Sequence, residues 1–136
     1  MLAEYKKITN KKKIELLHNY ENINEICSIL NLNQEEKIDK YIKYMQEKNI
    51  QVITYYDKDY PKQLKNLYDA PIAIYAIGNC KILNRKNKIA VIGARKASNY
   101  GINIARQIGS FLSKNNIHTI SGLALGIDVN SHLGVL

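Results

Sequence analysis

Between residues 88 and 120 the chain reads strand, loop, helix, strand, and that order limits its fold more than any other feature. Residues 88–92, KIAVI, are apolar and β-branched without alternation, the pattern of a strand covered on both faces in a parallel sheet. Residues 100–115 place Ile104, Ile108, Phe111 and Leu112 at helical spacing, which predicts a helix with those four on its covered face. Residues 118–120 read as the next short strand, and residues 126–136 as the start of another helix. Two short strands joined through a helix pair in parallel by a right-handed crossover. The fold class is therefore α/β.

Upstream the pattern is less regular. Residues 51–56 form a β-branched and aromatic run ended by Asp57-Lys58-Asp59, and residues 72–77 form another, entered from Pro71 and closed by Gly78-Asn79. Between them residues 61–67 suit one or two helical turns with Pro61 at the first position. From residue 14 to residue 49 the apolar positions recur at helical spacing, as in Ile23, Ile26 and Leu30, and predict two or three short helices. Asn22 and Asn33 stand where N-caps belong, with Glu25 and Glu36 three residues on, as in a capping box. Helices this small bury little apolar area alone, so they are expected to pack on the chain beyond residue 50. The expected division is a helical module at residues 1–50 and an α/β part at residues 51–136.

Charge follows the same division. Residues 51–136 hold eleven Lys/Arg against four Asp/Glu, so +7 of the chain's +8 lies there, and Asp128 is the one acidic residue after residue 88. A one-sided basic excess suits a polyanion such as nucleic acid, although lysines that merely solvate a surface give the same count. The longest apolar runs, residues 72–78 and 89–94, are far shorter than the ~20 residues that span a bilayer. The opening MLAEYKKITNKKK has no apolar stretch of the signal-peptide kind, so a soluble cytoplasmic protein without a membrane partner is expected. Cys27 and Cys80 form no CxxC pair, and His18, His118 and His132 do not cluster, so no metal site, disulfide framework or other cofactor is expected.

Open α/β sheets bind ligands beyond the carboxyl ends of their strands, and two loops fall there. The first runs Gly93-Ala94-Arg95-Lys96-Ala97-Ser98-Asn99-Tyr100-Gly101. Gly93 lets the backbone turn off the strand, Arg95 and Lys96 bring charge, Ser98 brings a hydroxyl or an N-cap, and a helix start presents unpaired N–H groups. On the plainer reading Ser98 only caps the helix and Arg95 is solvated. The second loop runs from Ser121 and Gly122 through Gly126 to Asp128, ahead of His132. Here Ser121 and Gly122 are expected to offer a hydroxyl and a backbone N–H to the same anion, together with the Gly93 backbone of the first loop. Asp128, in the first turn of the last helix, is expected to orient its neighbours, and His132 to pair with it across one turn or simply to pack.

Enzyme chemistry finds little support. No GxGxxG follows a strand, no GxxxxGK[ST] occurs, and neither Ser98 nor Ser121 sits in a G-x-S-x-G elbow. Asp128 and His132 alone make a thin acid–base pair. The chain is read as a binding protein and not as an enzyme.

Three spaced segments resemble one known family, the DNA-processing protein A (DprA, or Smf) family. Tyr60-Pro61-Lys62-Gln63-Leu64, then Pro71 and Gly78-Asn79, is similar to its Y-P-x-x-L…P…G-N entry. Residues 91–101 resemble its V-G-[SA]-R-x-x-S-x-Y-G loop, and residues 121–134 its S-G-x-A-x-G-I-D-x-x-A-H-x-G segment. Leu125 stands where many members carry arginine, and Ser131 replaces the usual alanine. The resemblance implies a small helical module of the SAM or helix-hairpin-helix kind, then an incomplete Rossmann-like parallel sheet. It also implies binding of single-stranded DNA at Gly93, Arg95 and Ser98, RecA loading in natural transformation, and a homodimer in the full-length family. Because the sequence ends inside the expected last helix, it is read as the N-terminal portion of such a domain. The alternatives are a nucleoside-monophosphate phosphoribohydrolase-like enzyme of a related Rossmann fold, or a fragment without activity.

Overall fold

Short polar side chains that accept a backbone N–H set the first helices. In α1 (Asn10–Asn19) the Thr9 hydroxyl accepts the Lys12 N–H at 3.2 Å, and in α2 (Ile23–Ile29) the Asn22 side chain accepts the Asn24 N–H at 2.9 Å. Helix α3 spans Glu35–Glu47. The computed structural model describes residues 2–3, 5–32 and 35–136, so the cap expected at Asn33 and the Glu36 side chain lie outside the described residues. Asparagine also ends helices in this chain. Asn31, Asn49 and Asn116 take positive φ of 51°, 52° and 56°. Each stands two residues past the end of a helix, where the chain leaves through the left-handed region.

The chain divides into two compact units, Met1–Asn84 and Arg85–Leu136. In the first, β1 (Ile50–Thr54) pairs antiparallel with β2 (Ala73–Ile77), Ile50 opposite Ile77 and Thr54 opposite Ala73. The fully buried Ile26 of α2 packs with Leu2 and Ile72, so the small helices close their core on the segment entering β2. That core holds the β1–β2 hairpin with the helices. A division by compactness thus falls after Asn84, while the change from helical to strand patterning falls at residue 50.

Between β1 and β2, α4 (Lys62–Lys65) starts after Pro61, which takes extended backbone at the N-cap and not the first helical position. A short 3-10 helix, Cys80–Asn84, follows β2. Its Asn84 is a clasp: the side-chain oxygen accepts the Lys62 N–H at 3.1 Å and the amide donates to the Asp59 carbonyl at 3.0 Å. Tyr60, 1% exposed, donates its hydroxyl to the Pro71 carbonyl at 2.6 Å.

Burial pushes the Tyr60 phenol above its ordinary range, and the adjacent Tyr55 adds to the shift. The folded phenol therefore holds its proton more tightly than the unfolded one. Its contribution is complete below about pH 10, the unfolded value, and is lost as pH rises beyond it. Tyr60→Phe is expected to cost about 1 kcal/mol at neutral pH and to flatten that alkaline decline. Urea unfolding at neutral pH and at about half a unit above the free phenol's pKa of roughly 10 checks both; parallel declines in the two proteins would refute the assignment.

In the second unit β3 (Lys88–Ala90) pairs in parallel with β4 (His118–Ile120), with α5 (Asn99–Lys114) as the crossover and α6 (Ile127–Leu133) packed on α5. This is the expected βαβ arrangement, in a sheet separate from β1–β2. Two expectations need correction. Ile89 and Ile120 remain 45% and 47% exposed, so these strands are not covered on both faces. Of the four residues expected on the covered face of α5, Leu112 is buried and Ile104 half-buried, but Ile108 and Phe111 stay exposed, and the buried stripe runs through Ala105 and Gly109 instead. The reason lies at Gly109. A Cβ there would collide with the Ser131 carbonyl, and one at Gly134 with the Arg106 carbonyl, so α5 and α6 touch backbone to backbone on the small-residue face.

Candidate functional site

Parallel strands end at the same edge, so the loops after β3 and β4 leave side by side. Asp128, in the first turn of α6, joins them. Its Oδ1 accepts the Gly93 N–H and its Oδ2 the Gly122 N–H, each at 3.1 Å, and the residue is only 5% exposed. A second tie runs from the Ile127 N–H to the Ala94 carbonyl at 3.2 Å. Gly126, at φ +90°, is required there, because a Cβ would strike the carbonyls of Ala94 and Arg95. Gly93 is equally confined, by the Ile127 side chain.

This geometry corrects the expected donors. The Gly93 and Gly122 N–H groups are not open to an outside anion; they already serve the carboxylate of Asp128. A carboxylate tethered on α6 needs no association step, so it holds two glycine donors that would otherwise face solvent. His132 does not pair with Asp128 either. Its Nε2 is hydrogen-bonded to the Ser121 hydroxyl at 2.8 Å, and that oxygen also accepts the Leu123 N–H at 3.0 Å. Asp128 turns to the loops while His132, one helical turn on, meets the end of β4. Reading by helical spacing alone pairs the wrong partners.

Around this closed centre the polar groups fall into two sets. Arg106, on α5, is committed to structure: its Nε donates to the Asn130 Oδ1 at 2.8 Å, and the Asn130 amide donates to the Gly126 carbonyl at 2.8 Å. Fully buried Ser131 donates its hydroxyl to the Asp128 carbonyl at 2.7 Å. Sequence reasoning passed over Arg106 and Asn130; they are 24 residues apart, and a basic residue in a helix that also carries Asn, Gln and Ser gives no local signal. Arg95 and Lys96 behave differently. Both are exposed, and among the described residues neither makes a hydrogen bond or ion pair.

Those two cations lie at the entry to α5. Ser98 caps that helix, its hydroxyl accepting the Gly101 N–H at 3.2 Å, and Gly101 sits close against Ile127. The N–H groups of Asn99 and Tyr100 are left without a partner among the described residues, and the Tyr100 ring is exposed. A sixteen-residue helix adds the positive end of its dipole at this point. Of the residues singled out in the sequence, Gly93, Gly122, Gly126 and Asp128 thus form a rigid base. Arg95, Lys96 and Tyr100 stand out from it, and Ser121 and His132 bond to one another.

Comparison with known proteins places this arrangement. The family model described as DNA recombination-mediator protein A matches residues 51–136. Protein Smf of Borreliella burgdorferi is 31% identical over 95% of this chain and 46% of its own length. DNA processing protein DprA of Bacillus subtilis is 31% identical over 71% of this chain and 32% of its own length. The chain thus spans less than half the length of these curated relatives. Among solved structures, DNA processing protein A from Helicobacter pylori, known for its single-stranded DNA binding mode, matches with a TM-score of 0.56. It is 31% identical, and the match covers 63% of this chain and 39% of that one. DprA from Streptococcus pneumoniae shares the fold at 24% identity and a TM-score of 0.66, over 98% of this chain and 51% of that one. With three spaced motifs, the βαβ core and a family model over residues 51–136 in agreement, this chain belongs to the DNA recombination-mediator protein A (DprA/Smf) family.

Proposed function

We propose that the chain binds single-stranded DNA through the loop after β3 and acts, as part of a DNA-processing protein, in the cytoplasm. There it would protect incoming strands and help load RecA during natural transformation. The observation that carries the reading is the pair of unpartnered cations, Arg95 and Lys96, at the positive end of α5. Residues 85–136 hold seven Lys/Arg against the single Asp128, whose charge is turned inward to two backbone N–H groups. The surface presented outward is therefore basic. The Helicobacter pylori relative supplies the ligand class, since its single-stranded DNA binding is described and 31% of the aligned residues are shared.

The mononucleotide reading loses its seat. A 5′-phosphate cradled by both loops would use the Gly93 and Gly122 N–H groups, and Asp128 occupies them with a like charge. No helix among the described residues is long and apolar enough to cross a membrane.

Fluorescence anisotropy with labelled oligothymidine tests the reading. Binding should weaken with salt, and Arg95→Ala should reduce the slope of log K against log salt by about 0.7, one phosphate contact on a single strand. Salt-independent binding, or an unaltered slope in the variant, would sink it.

A further inference from the structure

Away from the β3 loop, the unit Met1–Asn84 has a cavity of about 440 Å³ lined by α1 and by the segment around α4, with Lys11, Ile14, His18, Tyr55, Lys65 and Tyr68 among its walls. Its chemistry is unusual for a surface hollow. The Lys11 Nζ lies 4.8 Å from the centre of the Tyr68 ring, and the Lys65 Nζ lies 4.8 Å from that of Tyr55. Each of these two ammonium groups thus lies against an aromatic face that lines the hollow. The nearby acidic groups are already engaged. Glu15 is paired with Lys12 at 3.0 Å, and the Asp69 Oδ1 accepts the Lys11 backbone N–H at 2.9 Å.

That last bond has a consequence for Tyr68. It fastens the turn carrying Tyr68 to the first turn of α1, so the ring is anchored at its backbone while 83% of the residue stays exposed. A large ring held in place and left open to water, beside cations without local carboxylate partners, matches a ligand that offers a flat face and a negative charge. A nucleotide unit of single-stranded nucleic acid has both: a base to stack and a phosphate to pair.

We propose that this hollow is a second single-stranded DNA contact, with Tyr68 stacking a base and Lys11 and Lys65 holding the adjoining phosphates. The proposal rests on the reading of single-stranded DNA as the ligand, and it assigns a role to the unit that lacks the β3 loop. An acidic peptide would satisfy the lysines and leave the ring unused, which separates the two ligands experimentally.

The test is anisotropy on the full chain with labelled oligothymidine and with an abasic oligomer of equal length. Tyr68→Ala should weaken oligothymidine binding about tenfold, the effect of losing one stacked base, and leave abasic binding unaltered. Tyr68→Phe should restore affinity, since it keeps the ring. Lys11→Gln with Lys65→Gln should lower the salt slope by about 1.4 for two phosphate contacts. A Tyr68→Ala protein that binds oligothymidine like the parent overturns the second contact, as does equal weakening on the abasic oligomer. Polyglutamate that displaces the labelled strand as well as unlabelled oligothymidine also overturns it. If Arg95→Ala weakens binding and Tyr68→Ala does not, the second site alone falls. If the parent chain binds no oligomer, both readings fall.

Discussion

Asp128→Ala is expected to lower the unfolding free energy by about 3 kcal/mol, the largest effect of any polar substitution in residues 85–136. The side chain accepts two backbone N–H bonds at 3.1 Å and is almost wholly enclosed. Hydrogen bonds to a charged acceptor contribute roughly 1.5–3 kcal/mol each, and alanine returns neither of them. Solvent reaches the loop edge at Gly93 and Gly122 and offsets part of the loss, which places the total at the lower end of that sum. Asp128→Asn separates charge from shape. One amide oxygen still accepts, but the amide nitrogen then faces an N–H donor, so an intermediate loss of about 2 kcal/mol is expected. Urea denaturation followed by circular dichroism measures both. An Asp128→Ala midpoint equal to that of the parent would show that the carboxylate does not hold the two loops.

A larger loss, against the local preference of the helix, is expected for Gly109→Ala. Alanine in a helix interior is favoured over glycine by about 1 kcal/mol, so propensity alone predicts a more stable protein. Packing predicts the reverse. The new methyl would overlap the Ser131 carbonyl and press on the Gly134 Cα, and backbone cannot rotate aside as a side chain does. Overpacking of this kind costs about 1–3 kcal/mol by itself. Separating α5 from α6 also drags Asp128 from its glycines, so a net loss of about 3–4 kcal/mol is expected, with a fall in Tm on the order of 10 °C. Asn103→Ala, on the exposed side of the same helix, should show the propensity gain alone. A Gly109→Ala protein as stable as the Asn103→Ala protein would refute the close approach.

The elements were legible where local chemistry decides them. Strand β4 falls on the residues read for it, α5 begins and ends one residue early, and Asn22 and Ser98 cap as their positions suggest. What the sequence hid depends on neighbours. The run at residues 88–92 reports the burial a strand is suited to, not which layers lie over it, and Ile89 stays half open. The buried face of α5 is set by two glycines meeting backbone, a contact that apolar periodicity does not register. At the site, spacing along α6 suggested an Asp128–His132 pair. The strand ends, which lie close only after β3 and β4 align, divert both residues elsewhere. The expected phosphate donors Gly93 and Gly122 failed for the same reason. Their partner is 35 residues away from one of them in sequence.

The two loop cations, Arg95 and Lys96, differ from their surroundings in one respect that bears on how such a chain can be altered. Their side chains touch no described polar partner, whereas the base beneath them is pinned by Asp128, Gly126 and the Ile127 N–H. Exposed substitutions away from packing or capping usually move stability by no more than about 0.5 kcal/mol. Charge at these two positions is therefore a free variable: it can be removed, reversed or increased while the scaffold keeps its shape. On the proposed reading, affinity and foldedness are carried by different atoms, so ligand strength could drift or be engineered across a wide range before the unit ceases to fold.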